Sequence, residues 1–414
     1  FYSLHVDKNG VAIREEKSLV GKGNYEVVKT LIERLGKKIG LISIGPVGEM
    51  RLSAANISVR DPGGNVRSIG RGGLGAVMGS KKIKYITIDD TDGPGIPIVD
   101  PEKFKAAGKI FAKALVEHPV SGQALKNYGT DVLINILHEA GGLPTRNFRY
   151  AQFEHHENIS GETMHDIIVS RSGKASHSCH AGCVIQCSQV YNDKDKQYLT
   201  SGFEYETIWA FGANCCIGDL DIIAQADHIM DDIGIDSIEA GVTIGVAMEA
   251  GIIPFGDGSG MLRLLKEIGS GTPLGRILGC GAAALGKAYG VTRVPVVKSQ
   301  GIPAYDPRSV KGIGITYATS PMGADHTSGY TIATNILKVG GFVDPLKKEG
   351  QVELSRNLQI ATAFIDSLGL CIFVAFPVLD IPAAFTAMID MLNARFGISL
   401  TPNDVTALGK QILR

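Results

Sequence analysis

The pattern of apolar and polar positions changes character near residue 92. Before that point, "IGLISIG" and "KYITID" are typical of buried strands, and "NYEVVKTLIERLG" carries apolar residues at helical spacing up to Gly36. Two short apolar runs flank Asn9-Gly10, which predicts a β-hairpin. We therefore expect a mixed α/β block over residues 1–92.

Helical patterns dominate beyond the turn-forming stretch "DGPGIP". Asp100 followed by Pro101 predicts a capped helix start, and "DVLINILHEAGG" and "GMLRLLKEIGSG" continue the helical character. A proline-rich stretch, "VTRVPVVKSQGIPAYDPRSVKG", precedes a last helical block. The sequence thus predicts an α+β protein, with an N-terminal α/β domain at 1–92 and two mainly α-helical domains at 98–290 and 308–414.

Composition and charge narrow the range of partners. The 41 Lys and Arg residues nearly balance 42 Asp and Glu, for a formal charge of -1, which gives no electrostatic basis for binding nucleic acid. The longest apolar stretch, "LGLCIFVAFPVLDIPAAF", is interrupted by Pro and Asp, so we expect no membrane span. The start "FYSLHVDKNG" lacks the features of a signal peptide and does not begin with Met. We expect a cytoplasmic protein whose N-terminal domain continues upstream of Phe1.

Three of the seven cysteines are evenly spaced in "SHSCHAGCVIQCSQ". Cys179, Cys183 and Cys187 would line one face of a helix or surround a tight loop, and one centre would need a fourth ligand from elsewhere. Three close thiolates plus one distant cysteine are typical of an iron–sulfur cluster, although zinc and inert buried cysteines are alternatives. For the distant ligand, Cys371 is favoured over Cys280, which lies in the small-residue stretch "GCGAAALG".

A short acidic motif occurs twice. Asp231 in "DDIGID" and Asp366 in "DSLGLC" each follow an apolar, helix-like run and are each followed three residues later by Gly. This pattern places a carboxylate at the C-terminal end of a helix, where it opposes the helix dipole. Such a carboxylate can accept two parallel N–H bonds from a guanidinium group or from the amino-pyrimidinone edge of a pterin. Two carboxylates of this kind suggest two such rings.

The stretch "SIGRGGLGAVMGSKK" contains Gly-x-Gly-x-x-Gly from Gly70 onward, which raises the alternative of a nicotinamide-binding loop. Such a loop follows directly on an apolar strand, whereas the residues before Gly70, "DPGGNVRSI", are rich in turn formers. We therefore expect no strand there. The glycines would still let backbone N–H groups approach oxyanions closely.

These stretches, together with "IGPVGE", "LPTRNF", "FEYETIWAFGANC", "IPAYDPR" and "GITYATSPMGADHT", resemble the aldehyde:ferredoxin oxidoreductase family over nearly the whole chain. Members are tungsten or molybdenum enzymes that carry two pterins per metal and a 4Fe-4S cluster. The resemblance implies that this cofactor, with magnesium bridging its phosphates, lies between the helical domains. The implied cofactor contacts are Arg71, Gly72, Gly73, Asp231, Ile235, Asp366 and Leu370, and the implied cluster ligands are Cys179, Cys183, Cys187 and Cys371.

By the same resemblance, Glu206 and His326 lie next to the metal and handle protons while an aldehyde is oxidised to a carboxylic acid. The electrons would leave through the cluster to ferredoxin or a similar carrier. Three alternatives are a reductive member acting on an activated aromatic or carboxylic acid, a cluster-only electron-transfer subunit, and a nicotinamide dehydrogenase.

Two departures from the family pattern indicate a divergent branch. Three residues separate the first two cysteines of the run, where the best-known members have two. Some relatives also bind a metal between subunits through Glu-x2-His, and here Gln225 precedes His228. Because a neutral amide is a poor cation ligand, we expect no metal at that position, while a homodimer is compatible with the sequence.

Overall fold

The computed structural model describes residues 1–414 and confirms the α+β class. The N-terminal block forms a six-stranded sheet in the order β2-β1-β6-β3-β4-β5. The neighbouring strands β1 and β6 are parallel to each other, and every other neighbouring pair is antiparallel. The strands are β1 Tyr2–Asp7, β2 Gly10–Glu15, β3 Gly40–Ser43, β4 Ile57–Arg60, β5 Val66–Ile69 and β6 Ile83–Ile88.

The predicted hairpin is confirmed. β1 and β2 pair in register from Tyr2 opposite Glu15 to Asp7 opposite Gly10, and Gly10 takes a φ of 127°, a conformation that favours glycine. The following helix also matches its pattern, because it ends at Leu35 and Gly36 forms its C-cap.

The expectation that no strand precedes Gly70 is wrong. β5 ends at Ile69, directly before Gly70, and a helix begins at Leu74. The misreading arose because this strand is short and half polar, with Arg67 and Ser68 between its apolar ends. β5 pairs only with β4, antiparallel, and two strands separate it from β6. A dinucleotide loop joins parallel strands of one sheet through its helix, so this strand, loop and helix do not form such a unit.

Helices make up most of the rest. Asp100 caps the long helix after the linker by accepting a hydrogen bond from the Lys103 N–H at 3.0 Å. The helices are α1 Asn24–Leu35, α2 Pro46–Glu49, α3 Leu74–Ser80, α4 Pro101–Glu117, α5 Leu125–Tyr128, α6 Leu133–Glu139, α7 Gly161–Ser170, α8 Tyr205–Phe211, α9 Leu220–Ile233, α10 Ser237–Glu249, α11 Gly258–Ser270, α12 Pro273–Leu278, α13 Ala282–Tyr289, α14 Lys311–Thr319, α15 Ile332–Asn335, α16 Gln351–Ser367, α17 Ala375–Asp380, α18 Pro382–Phe396 and α19 Pro402–Ile412. Two small antiparallel sheets contain β7 Lys174–His177, β8 Ser188–Asn192 and β9 Tyr198–Ser201, and β10 Val296–Val297 and β11 Gln300–Gly301.

Two main hydrophobic cores pack these helices, and a third core of 8 buried residues packs α1 against the N-terminal sheet. The larger core extends from Val47 to Ile332 and includes the apolar faces of α8, α9 and α10. The smaller main core joins α4, α16 and α18 and contains Cys187. No single helix has the length and hydropathy needed to cross a membrane; one helix pair, Tyr205–Cys215 with Leu220–Ile233, meets those criteria jointly but is bent by 120°.

A close approach of two backbone segments holds α3 in place. A Cβ atom added to Gly75 would lie 2.0 Å from the carbonyl oxygen of Asn56. We expect Gly75→Ala to lower the free energy of unfolding by about 1–3 kcal/mol, because backbone atoms cannot rotate away as a side chain can. Urea unfolding followed by circular dichroism measures this. Gly70→Ala is the matched control, since no atom lies within 4 Å of the added Cβ. Equal losses in both variants would contradict the steric explanation.

Candidate active site

A cavity of about 530 Å³ lies where the N-terminal sheet meets the two helical cores. Its wall includes residues of β5, α8, α9, α16 and α17, so all parts of the chain contribute to it. Its lining includes the predicted residues Arg71, Asp231, Ile235, Glu206 and His326. It also includes many apolar side chains, among them Leu133, Ile136, Leu337, Phe373 and Phe376. A largely apolar cavity with a few convergent polar groups is typical of an enzyme active site.

Glu206 and His326 form an acid–base pair in the wall of the cavity. Glu206 lies in the first turn of α8, and its Oε2 accepts a hydrogen bond from the Ala304 N–H at 3.0 Å. Its Oε1 lies 3.4 Å from His326 Nε2. Burial raises the pKa of Glu206, although the nearby His326 and the Ala304 N–H oppose this rise. The pair therefore combines a carboxyl group whose pKa is raised by burial with an adjacent imidazole.

Both members of this pair keep a polar atom free. Glu206 Oε1 and His326 Nδ1 are buried and have no hydrogen-bond partner. Buried polar atoms normally have partners, so these two atoms fit a group that binds in the cavity. Tyr305 and Tyr330 surround the imidazole, with ring centroids 5.5 and 6.3 Å from that of His326.

Asp231 sits in the last turn of α9, and Gly234 just beyond it has a φ of 76°, as the motif predicts. Its carboxylate lies 3.3 Å from the hydroxyl of Ser68 and 3.5 Å from that of Tyr25. These distances indicate weak hydrogen bonds, so the carboxylate can still accept stronger donors from a ligand. The second motif carboxylate, Asp366, is exposed at the end of α16 and does not line this cavity, nor does Leu370.

Arg71 is held by a buried network. Its guanidinium group lies 2.9 Å from Asp236 and 3.3 Å from Glu239, both in the N-terminal segment of α10. It also donates to the carbonyl oxygens of Ala324 at 2.6 Å and Gly301 at 2.8 Å. The side chain therefore ties the glycine loop to α10 and to the loop that carries His326.

The neighbouring glycines face a different space. Gly72 and Gly73 line a smaller cavity of about 270 Å³, together with Lys298 and Ser299. Their φ angles of 98° and 71° are ones that favour glycine. The glycine loop thus borders two cavities, with the Arg71 side chain lining the larger one.

The cysteine run forms a loop between β7 and β8, which excludes the helical alternative. Cys187 is buried, Cys183 is half-buried, and Cys179 and Cys371 are exposed. Burial raises the pKa of Cys371 to about 11, and the nearby thiols of Cys179 and Cys183 add to this rise. The four thiols thus share one region, which fits a cluster that takes one thiolate per iron. No three Cys, His, Asp or Glu side chains are close enough to hold a single metal ion.

The sequence interpretation missed two charged residues that connect these regions. Arg67 donates to Glu204 at 3.3 Å and to the hydroxyl of Ser188, next to Cys187, at 3.0 Å. Glu204 in turn accepts a hydrogen bond from Thr130 at 2.6 Å, and both charged residues line the large cavity. Two features of the sequence could have identified these residues. Arg67 lies in the strand before the glycine loop, and Glu204 lies two residues before Glu206.

Comparisons with known proteins agree with the motifs. The family models described as "Aldehyde ferredoxin oxidoreductase, N-terminal domain" and "domains 2 & 3" match residues 2–90 and 106–414. A tungsten-containing aldehyde ferredoxin oxidoreductase of Thermococcus kodakarensis is 34% identical over 99% of this chain and 68% of its own length. The protein of that name from Pyrococcus furiosus is 33% identical with the same coverage. The WOR-like subunit of an aliphatic sulfonate oxidoreductase from Pyrococcus furiosus is 27% identical over 99% and 66%.

Among solved structures, the active site complex BamBC of benzoyl coenzyme A reductase in complex with 1,5 dienoyl-CoA superposes with a TM-score of 0.77. It shares 16% sequence identity and covers 99% of this chain and 70% of that chain, which shows a common fold. By the family and sequence matches the chain is an oxidoreductase. It belongs to the aldehyde ferredoxin oxidoreductase family, which confirms the resemblance drawn from its motifs.

Proposed function

We propose that this protein oxidises an aldehyde to a carboxylic acid, using a tungsten-pterin cofactor and passing electrons through a 4Fe-4S cluster to ferredoxin. The observation that carries the proposal is the buried Glu206–His326 pair in the wall of the cavity, which has two polar atoms without a hydrogen-bond partner. The family matches support the cofactor and the electron carrier. Seven free cysteines suit a reducing cytoplasm, where we place the protein.

Different residues would bind different parts of the cofactor. Asp231 presents a carboxylate to the N–H groups of a pterin edge, with Ile235 packed beside it. Gly72 and Gly73, which line the smaller cavity, would offer backbone N–H groups to the cofactor phosphates, and the phosphate oxygens would bind an associated magnesium ion. Four cysteines, Cys179, Cys183, Cys187 and Cys371, bind the cluster. When bound, the tungsten group accepts the two electrons of the reaction and the cluster passes them on singly.

The overall reaction converts an aldehyde and water to a carboxylic acid with release of two electrons and two protons. Glu206 acts as the base: its Oε1 accepts no hydrogen bond and can take a proton from the attacking oxygen. His326 orients this carboxylate and stabilises its charged form across the 3.4 Å contact. The apolar side chains that line the cavity exclude water from the part of the substrate that does not react.

Removing the remote cysteine tests the proposed cluster set. We expect Cys371→Ala to lose most of its iron and its ability to reduce ferredoxin, because a cluster bound by three thiolates is exposed at one iron. Iron per chain, measured on anaerobically purified protein, gives the result directly. Cys280→Ala is the matched control, since Cys280 is also exposed and lies outside the set. Full iron content in Cys371→Ala would contradict the assignment.

A further inference from the structure

Two carboxyl groups stand one helical turn apart on the wall of the large cavity. Asp227 and Asp231 occupy positions i and i+4 of α9, which lie on the same face of a helix, and both line the cavity. Asp227 is only 5% exposed, and its Oδ2 accepts a hydrogen bond from the Thr200 hydroxyl at 2.5 Å. The motif that predicted Asp231 does not include Asp227.

Arg67 is the one cation close to the acidic side chains in this part of the cavity wall. The groups that face the pair are Arg67 and Ser68 of β5, Glu204 before α8, Tyr198 and Thr200 of β9, and Tyr25 of α1. Only the guanidinium group of Arg67 is positive, and it is already paired with Glu204. Ionisation of both aspartates would place two further negative charges in the wall without a second cation. Buried charges of this kind are costly unless they are paired.

The electrostatic environment of Asp227 and Asp231 favours retention of a proton by the pair. Burial raises the pKa of Asp227 to about 7. Burial also raises the pKa of Asp231, and repulsion by Asp227 adds to the effect. Two acids that interact this strongly titrate as a pair and release their protons in separate steps.

We propose that Asp227 and Asp231 hold one proton between them, and that Asp227 is a positioning residue that takes this proton when Asp231 accepts the N–H groups of a pterin. The second part rests on the proposed function. A neutral ring edge needs one negative carboxylate as its partner. A doubly charged pair would instead favour a cation such as guanidinium and repel the anionic parts of the cofactor. Asp227 therefore helps the wall to select a neutral heterocycle.

Infrared spectroscopy of cofactor-free protein tests the shared proton without any assay of activity. We expect the difference between the wild type and Asp227→Asn/Asp231→Asn at neutral pH to show one protonated and one ionised carboxyl group. In Asp227→Asn, the highest titration midpoint of the pair should fall by about one pH unit or more, because the repelling charge is gone. If the double variant fails to fold, this single variant, whose amide can still accept the Thr200 hydrogen bond, decides the question.

Asp232→Asn is the matched control. Asp232 lies on the same helix but accepts a hydrogen bond from the Tyr25 N–H and does not line the cavity. It should leave the titration of the pair unchanged. Two ionised carboxylates at neutral pH, or an unchanged midpoint in Asp227→Asn, would overturn the inference.

Tungsten retention tests the positioning role. We expect Asp227→Asn to retain as much tungsten as the wild type after dialysis at about pH 6 and several-fold more at about pH 9, because Asn cannot acquire the second charge. Lower retention in the variant at both pH values would overturn the positioning role. Absence of tungsten from every sample would contradict the proposed function, and the infrared result would still decide whether the pair shares a proton.

Discussion

Glu206→Gln should lower kcat for aldehyde oxidation by about 10²–10⁴-fold while leaving the fold intact. The amide has nearly the shape of the carboxyl group and keeps an oxygen that can accept the Ala304 N–H bond, so the loss comes from the missing base. Anaerobic assays with a viologen dye, together with tungsten and iron content per chain, measure the effect. Glu162→Gln, at an exposed carboxyl group on α7, is the control. An activity within a few-fold of wild type would show that Glu206 is not the base.

The raised pKa of Glu206 predicts how the activity depends on pH. A base acts in its ionised form, and burial raises the pKa of Glu206, so activity should rise as the pH increases through that raised pKa. His326 opposes the rise through its positive charge. In His326→Gln the acid limb of the profile should therefore move to higher pH. A shift to lower pH would contradict the proposed pairing.

The second large effect concerns stability. Arg71→Met should lower the free energy of unfolding by about 3–5 kcal/mol, because it leaves the buried carboxylates of Asp236 and Glu239 without their cation. It should also release the His326 loop, since the hydrogen bond to the Ala324 carbonyl is lost. Urea unfolding of the cofactor-free protein measures the change.

Two comparisons identify the cause. In the background Asp236→Asn/Glu239→Gln, the effect of Arg71→Met should be much smaller, because no uncompensated charge then remains buried. Arg149→Met removes an exposed arginine that pairs with Glu249, and we expect little change in its unfolding midpoint. If Arg71→Met were no more harmful than Arg149→Met, the buried network would not support the site as described.

Local patterns predicted the elements whose determinants lie within a few residues of one another. The hairpin at Gly10 and the caps at Asp100 and Gly234 follow from turn and helix-end chemistry, and all three are present. The strand that ends at Ile69 was missed because it is short, lies at an edge of the sheet and has two adjacent polar residues at its centre. The stretch "DVLINILHEAGG" was predicted to be helical and forms α6 from Leu133, while its first two residues lie in a 3-10 turn.

The site was only partly accessible from the sequence. Asp231 was found through its repeated motif and Glu206 and His326 through the family resemblance, and the structure brings all three to one cavity. Arg67 was missed because its partners, Glu204 and Ser188, are more than a hundred residues away. Contacts between residues so far apart in the sequence produce no periodic pattern. Only the packing of β5 against the helices that follow shows these contacts.

One measurement tests the central claim most directly. Full-length protein, purified without oxygen, should be analysed for tungsten, molybdenum, iron and zinc and then assayed for aldehyde-dependent dye reduction. The account predicts tungsten, iron in the proportion of a four-iron cluster, and dye reduction that requires an aldehyde. Zinc without iron, or metal-loaded protein that oxidises no aldehyde, would contradict it.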